Sequence, residues 1–468
     1  MYVQQLYTSC LSEAAYYIES NGEAAIIDPL RDIEPYIELA AARGASIRYI
    51  FETHFHADFV SGHIDLGKAT GAPIIYGPET KTDYPVQIAT DGQAFALGNV
   101  TFIALHTPGH TIESTCWLLK NEAGKNHALF SGDTLFIGDV GRPDLSSGNL
   151  DSSELAGLLF DSIQEKILSL EDDVIVYPAH GAGSACGKNL GKETVSTIGE
   201  QRITNYALQP TTRENFIEKV NEGLDEAPRY FAVNARINKE GYESLEIIRQ
   251  KGMVPIPVTT FKEKLEDENI IVLDTRPSKT FTEGFIPGTI SIGLDGRFAE
   301  WAGSLLPFDQ PMMLVCEPGT EEESVIRLAR VGFDKMQGYL EGGFEAWRQA
   351  GETIDLIIEI EADELAMDLP HDENLLVVDV RNESEYASGH VEGALNLPLK
   401  DMNDPGQIAM IPENGNIYLH CAGGYRSIIA ASLIKRQGLH NIRNIEGGFN
   451  AIKEQKDISV VLEKSLLN

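Results

Sequence analysis

Positive charge is what this 468-residue chain has least of: 37 Lys and Arg stand against 71 Asp and Glu, a formal net charge of −34. Binding to a phosphate backbone or an anionic membrane face needs clustered basic side chains. Neither nucleic acid nor a membrane is therefore an expected partner. Cysteine is scarce as well. Cys10, Cys116, Cys186, Cys316 and Cys421 are odd in number and spread over the whole length, which argues against a disulfide framework and points to free thiols in a reducing cytoplasm. No run of about 18 apolar residues offers a membrane span. The opening segment Met1 to Cys10 lacks the basic stretch and apolar core of a secretion signal, so a cytoplasmic location is expected. No low-complexity tract is present, and 43% hydrophobic with 23% charged residues is the composition of an ordinary globular protein. At about 150 residues per domain, the length predicts about three domains.

The second half of the chain matches itself at a constant offset of 105 residues. Leu273-Asp274-Thr275-Arg276 aligns with Val378-Asp379-Val380-Arg381, Pro287-Gly288 with Glu392-Gly393, Cys316 with Cys421, and Glu341-Gly342-Gly343-Phe344 with Glu446-Gly447-Gly448-Phe449. Four landmarks in one register mark two copies of one domain, residues 254–353 and 354–468. Short apolar runs at Ile270 to Leu273 and Leu375 to Val378 read as buried parallel strands, and helical spacing follows each cysteine, so each copy is expected to be a small α/β domain.

Residues 1–245 have another rhythm: β-type runs at Ile47 to Phe51, Thr101 to Leu105 and Val174 to Tyr177, each ending in a histidine-bearing turn. Asn205 to Gly241 reads as helical and then irregular around Pro228-Arg229-Tyr230-Phe231. The turns hold Thr53-His54-Phe55-His56-Ala57-Asp58, Pro108-Gly109-His110, Ser131-Gly132-Asp133 and Tyr177-Pro178-Ala179-His180. Imidazoles and carboxylates gathered at one rim of a sheet are the donor set of a first-row metal. His63 and His106 fit no ligand spacing and are expected to be solvated or packed, and Cys10 and Cys116 to act as small hydrophobes in strand-like surroundings.

These motifs resemble the metallo-β-lactamase superfamily, which implies an αββα sandwich for the first half. Its two-metal hydrolases extend the first motif to His-x-His-x-Asp-His, and here Phe59 stands at the last position. His54, His110 and Asp133 remain as two imidazoles and a carboxylate with open positions on one face, the arrangement of non-haem Fe(II) oxygenases. One Fe(II) per chain is expected, with Zn(II) as the alternative. Within the superfamily the motifs, with Gly141-Arg142-Pro143-Asp144, most resemble the persulfide dioxygenases. That resemblance assigns iron ligation to His54, His110 and Asp133, and gives His56, Asp58 and His180 the work of orienting ligands or hydrogen-bonding substrate. Arg142 and Tyr177 are candidates for substrate binding, although a loop arginine also commonly pairs with a local carboxylate. Cys186, in the glycine-rich turn Gly181 to Gly187, fits either a catalytic or sulfur-relay role beside the metal or a structural one.

In the last copy Leu419-His420-Cys421-Ala422-Gly423-Gly424-Tyr425-Arg426-Ser427 lies between a strand and a helix. Amides of such a loop, the helix dipole and Arg426 favour a thiolate and the persulfide it forms. With Asp379-x-Arg381, Glu385-Tyr386, Gly389-His390 and Gly393-Ala394, this copy resembles the rhodaneses. Four residues between cysteine and arginine, rather than the five of Cys-based phosphatases, suit sulfane sulfur. Cys421 and Arg426 are the expected catalytic pair, with Gly423 and Gly424 lining the substrate. In the first copy Cys316 is followed by Glu317-Pro318-Gly319-Thr320-Glu321-Glu322-Glu323, acids that raise a thiol's pKa and repel anionic donors. That copy is expected to be degenerate, a scaffold.

Nearly the whole chain is similar to the staphylococcal-type fusion of persulfide dioxygenase and sulfurtransferase. The resemblance implies oxidation of low-molecular-weight thiol persulfides by O₂ to sulfite, sulfane-sulfur transfer giving thiosulfate, a part in sulfide detoxification, and a homo-oligomer, dimer or tetramer. The alternative is a zinc-dependent thioester hydrolase of glyoxalase II type fused to rhodanese domains.

Overall fold

The computed structural model describes residues 1–145, 150–224 and 226–462. Two compact units divide it: residues 1–245 with 329–332, and residues 246–328 with 333–468. Among the described residues, no helix is long and apolar enough to cross a membrane.

The first unit is built on two six-stranded sheets. One takes Tyr2–Thr8, Glu13–Ser20, Glu23–Ile27, Ser46–Phe51, Ile74–Tyr76 and Gln87–Ile88 in sequence order. The other runs from Ser196–Thr197 through Ile175–Pro178, Asn126–Gly132, Thr115–Lys120 and Val100–His106 to Ala94–Leu97. Strand periodicity explains the layering, because alternate side chains leave opposite faces. In Glu13–Ser20, Ala14, Tyr16 and Ile18 enter a core shared with Phe51, Phe102, Trp117 and Phe130 of both sheets. Ala15 and Tyr17 enter another, with Tyr36 and Ala40 of the helix Glu34–Arg43 and Leu66 of the helix His63–Thr70. In the second sheet Trp117 and Leu119 face inward, while Cys116 and Leu118 face outward toward Leu159, Ile163 and Phe216 of helical segments. Helix, sheet, sheet, helix is the αββα sandwich expected from the motifs. Trp117→Ala should cost about 3–5 kcal/mol, read as a lower denaturant midpoint at constant slope. It removes a fully buried ring packed 4.4 Å from Phe51, centroid to centroid.

One expectation fails. The stretch around Pro228 to Phe231 is not irregular: it opens the helix Tyr230–Glu240. Its buried Tyr230, Phe231, Asn234 and Asn238 follow helical spacing that the proline and a polar composition obscured. Cys10 also sits in a turn, between Tyr2–Thr8 and Glu13–Ser20, and not in a strand.

The second unit holds both copies. Each has a five-stranded parallel sheet: Pro255–Ile256, Met336–Leu340, Met312–Val315, Ile271–Asp274, Ile290–Ser291 in one, and Ile358–Ile360, Ile442–Ile445, Asn416–His420, Leu375–Asp379, Leu395–Asn396 in the other. The Asp-x-Arg landmark is the same device twice. Arg276 donates to both oxygens of buried Asp274 and to the Gly284 carbonyl at 2.9 Å. Arg381 does so to Asp379 and to Gly389 at 2.6 Å. Each guanidinium also lies over a phenylalanine of the Gly-Gly-Phe turn, Phe344 at 4.2 Å and Phe449 at 3.9 Å.

Candidate metal centre and sulfur-carrying loop

Six candidate groups of the first unit sit a few residues beyond the C-terminal ends of strands. His54, His56 and Asp58 follow Ser46–Phe51, His110 follows Val100–His106, Asp133 follows Asn126–Gly132, and His180 follows Ile175–Pro178. All six are buried. Asp133 is the hub: its Oδ2 lies 3.3 Å from His110 Nε2 and 3.7 Å from His54 Nε2, and its Oδ1 lies 3.5 Å from His180 Nε2. His180 Nε2 is also 3.5 Å from Asp58 Oδ2.

The opposite ring nitrogens are occupied. His110 Nδ1 donates to the Arg142 carbonyl at 2.8 Å and His180 Nδ1 to the Ser12 carbonyl at 3.2 Å. Thr53 gives its hydroxyl proton to Asp28 Oδ2 at 2.8 Å, so its oxygen accepts from His54 Nδ1 at 2.9 Å. These bonds place the bare lone pairs on Nε2, toward Asp133. His110 Nε2, His180 Nε2 and both Asp133 oxygens are buried without a hydrogen-bond partner, a cost of about 1–3 kcal/mol each that a bound cation would offset. Burial, then the imidazoles of His56, His110 and His180, push His54 well below its ordinary range, leaving it neutral and ready to ligate. The donor set fits a metal: His54, His110 and Asp133 bring one ligand atom each within 4.8 Å of one another, and so do Asp133, His180 and Cys186.

His56 is held differently. Burial alone would lower it, but Asp28, 3.1 Å from its Nε2, with Glu52 at 3.5 Å and Asp58, overrides that and raises it to about 10. Phe59 is fully buried, its ring 4.3 Å from that of His56. Sequence reasoning missed the parts that brace this loop. Asn238, on the helix Tyr230–Glu240, donates to the carbonyls of His56 at 2.7 Å and Phe59 at 2.8 Å and accepts from Ser61 N at 2.9 Å. Asp28, which also accepts from Thr53 N at 2.7 Å, carried only the weak signal of an acid ending the apolar run Ile26-Ile27.

Of the remaining candidates, Arg142 is buried and bidentate to Asp144 at 2.7 Å, with the Ala185 carbonyl at 3.1 Å. Its backbone joins His110 to the Cys186 turn, since Arg142 N donates to the Cys186 carbonyl at 3.0 Å. Tyr177 packs between the sheets, stacked on Phe130 at 5.2 Å. The Cys186 thiol is pushed well above its usual range by burial and by Asp58 and Asp133. His63 is buried between Glu52 and Tyr84, and His106 bonds the Ile112 carbonyl.

Gly141 sits tight against this centre. A Cβ there would overlap the Asp133 carbonyl oxygen and lie 2.9 Å from His110 Nδ1. Gly141→Ala should displace the His110 ring and weaken metal retention about 10–100-fold, measured as the rate of metal loss to a chelator.

In the second unit Cys421 is buried at the end of Asn416–His420, and Gly424 N donates to its Sγ at 3.0 Å, immediately before the helix Tyr425–Arg436. Gly423 lines the same turn and is exposed. Arg426 is engaged bidentately by Glu385 at 2.6 and 2.9 Å. The earlier copy differs at one amide. Gly319 N, the counterpart of Gly424 N, donates to Glu321 Oε2 at 2.8 Å, and Cys316 Sγ meets Ser324 Oγ at 3.5 Å instead. Burial, with Asp274 and Glu321, pushes the Cys316 thiol up to about 11.

Residues 9–180 match the family described as metallo-beta-lactamase superfamily, and residues 257–350 and 361–455 each match the rhodanese-like domain. A crystal structure of a metallo-beta-lactamase from Staphylococcus aureus subsp. aureus COL is 34% identical, covers 73% of this chain and 99% of that one, and superposes with a TM-score of 0.66. The structure of ETHE1 from Myxococcus xanthus is 27% identical over 51% of this chain and 98% of that one, with a TM-score of 0.44. A hydroxyacylglutathione hydrolase from Tolumonas auensis is 35% identical over 170 residues, 35% of this chain and 60% of that protein's length.

Proposed function

Because the chain belongs to the metallo-β-lactamase superfamily and continues into two rhodanese-like domains, we propose that it is an iron-dependent persulfide dioxygenase and sulfurtransferase. In the first reaction the terminal sulfur of a small thiol persulfide gains both atoms of O₂ and the oxygen of one water. It leaves as sulfite with two protons, and the thiol is returned. In the second, the Cys421 thiolate takes the outer sulfur of another thiol persulfide, releasing the thiol, and then gives that sulfur to sulfite, forming thiosulfate and restoring the Cys421 thiolate. Iron held by His54, His110 and Asp133 would supply O₂ activation and a seat for sulfur. The chain's own residues fix the ligands: Thr53 and Asp28 orient His54, the Arg142 carbonyl orients His110, and Asn238 secures the loop that carries His56 and Phe59. Gly424 N–H, aimed at Cys421 Sγ, favours the anionic sulfur left after each transfer.

The observation that carries this reading is the pairing, in one chain, of an imidazole, imidazole and carboxylate centre, with Phe59 at the last position of the His-x-His-x-Asp-His motif, and a cysteine loop whose amide meets sulfur. A second reading, thioester hydrolysis with zinc, is favoured by the likeness of the first half to the hydroxyacylglutathione hydrolase. Metal content and O₂ uptake on thiol persulfides, measured beside thioester hydrolysis, separate the two. About one iron per chain with O₂ consumption is expected. Two tightly bound zinc ions with thioesterase activity and no O₂ uptake would overturn the proposal.

A further inference from the structure

Within the second unit, the Cys421 loop leans on the copy that lacks its chemistry. Tyr425, the residue between Gly424 and Arg426, donates its hydroxyl to the Gly293 carbonyl at 2.8 Å. Its ring lies flat on Gly296: a Cβ built there would stand 2.5 Å from ring atom Cε2, 2.6 Å from Cε1, and closer still to Cζ. Gly296 has no positive φ, so closeness of the ring, and not backbone conformation, is what requires glycine. The turn is itself anchored, because Arg327 Nη1 donates to the Leu294 carbonyl at 2.7 Å. Farther along the same helix Ser432 Oγ accepts from Ser291 N at 3.0 Å. The repeat is asymmetric here. At the offset of 105, the counterpart of Tyr425 is Thr320 and that of Gly296 is Asp401, so neither ring nor seat recurs.

We infer that Tyr425 and its seat at Gly293 to Gly296 are positioning elements for sulfur transfer, so that the first rhodanese-like copy sets the geometry of the active loop of the second. This rests on Cys421 being the sulfur carrier. Tyr425 is the first residue of the helix whose preceding amide, Gly424 N–H, meets the sulfur. Holding its ring fixes where that amide and the start of the helix point, and a misplacement of about 1 Å at a reacting group costs up to about 100-fold in rate.

The test uses the full chain, with thiosulfate as sulfur donor and a small thiol as acceptor. Gly296→Val is expected to lower kcat about 10-fold with KM within about twofold. Alkylation of Cys421, followed by mass on its own peptide, should slow in parallel, and O₂ uptake should stay near that of the parent. Tyr425→Phe, which keeps the ring and loses only the hydroxyl bond, should retain more activity than Tyr425→Ala, and Thr320→Val should change nothing. Unaltered kcat and alkylation in a folded Gly296→Val protein would overturn the inference. Should that variant fail to fold, Tyr425→Ala decides in the same way, since it relieves crowding and removes the seat's occupant. A parent protein that transfers no sulfur would instead overturn the role of Cys421 itself.

Discussion

Replacing His110 with alanine is expected to leave the protein without bound iron and to reduce persulfide-dependent O₂ uptake by more than about 100-fold, at unchanged sulfur transfer from thiosulfate. Changes to groups that merely support ligands already cost about 10–100-fold, and here a ligand itself is removed. His110 Nε2 is buried, unpartnered and 3.3 Å from Asp133, while its Nδ1 is fixed by the Arg142 carbonyl. His56 is not free to substitute, because it turns its Nε2 to Asp28 and Glu52. Sulfur transfer should survive because Cys421 lies in a separate compact unit with its own core. Metal analysis of the purified variant, with O₂ uptake and thiosulfate assays on one preparation, checks all three. Retained iron in the variant would remove His110 from the ligand set.

Cys421→Ser should abolish transfer between thiosulfate and thiol acceptors and, with persulfide and O₂ supplied, turn the product from thiosulfate toward sulfite at nearly unchanged O₂ uptake. A hydroxyl does not form a persulfide, so no residual path through this loop exists. Cys316→Ser should leave most of the transfer intact. The two loops hold the same cysteine but aim the same amide differently, Gly424 N–H at sulfur and Gly319 N–H at the Glu321 carboxylate. A more damaging Cys316→Ser would reverse the assignment of active and inactive copies. A thiosulfate yield unchanged by Cys421→Ser would move the transfer elsewhere, and Cys186, gathered with Asp133 and His180, would be the residue to replace next.

The sandwich and the tandem domains were legible because they depend on short-range pattern. Alternation in Glu13–Ser20 sorts side chains between two cores, and the repeat announces itself at constant spacing. His54, His110, Asp133 and His180 are visible because each closely follows an apolar strand. What stayed hidden is long-range. Asn238 meets the His56 loop from 182 residues away, and Asp28 reaches Thr53 across 25. Neither partner has a fixed spacing, and the stretch that forms the helix holding Asn238 reads as irregular because its apolar face is narrow. Glu385 is visible in the sequence only as a landmark, since its pairing with Arg426 spans 41 residues. The seat of Tyr425 on Gly296 was equally unreadable, because a lone glycine in a turn has many explanations.

The buried aspartate and arginine under each copy bear on how such chains diverge. Asp274 with Arg276 and Asp379 with Arg381 make the same bonds, down to the glycine carbonyl and the ring beneath, although their cysteine loops have drifted apart. Truncating either partner would strand a buried charge, costing about 3–5 kcal/mol, whichever chemistry the loop performs. Selection for a folded chain therefore preserves these residues whichever way the loop's amide points. Counting domains of this type in a genome by that landmark counts scaffolds and catalysts alike. A census of sulfur carriers would have to weigh the loop between cysteine and helix instead.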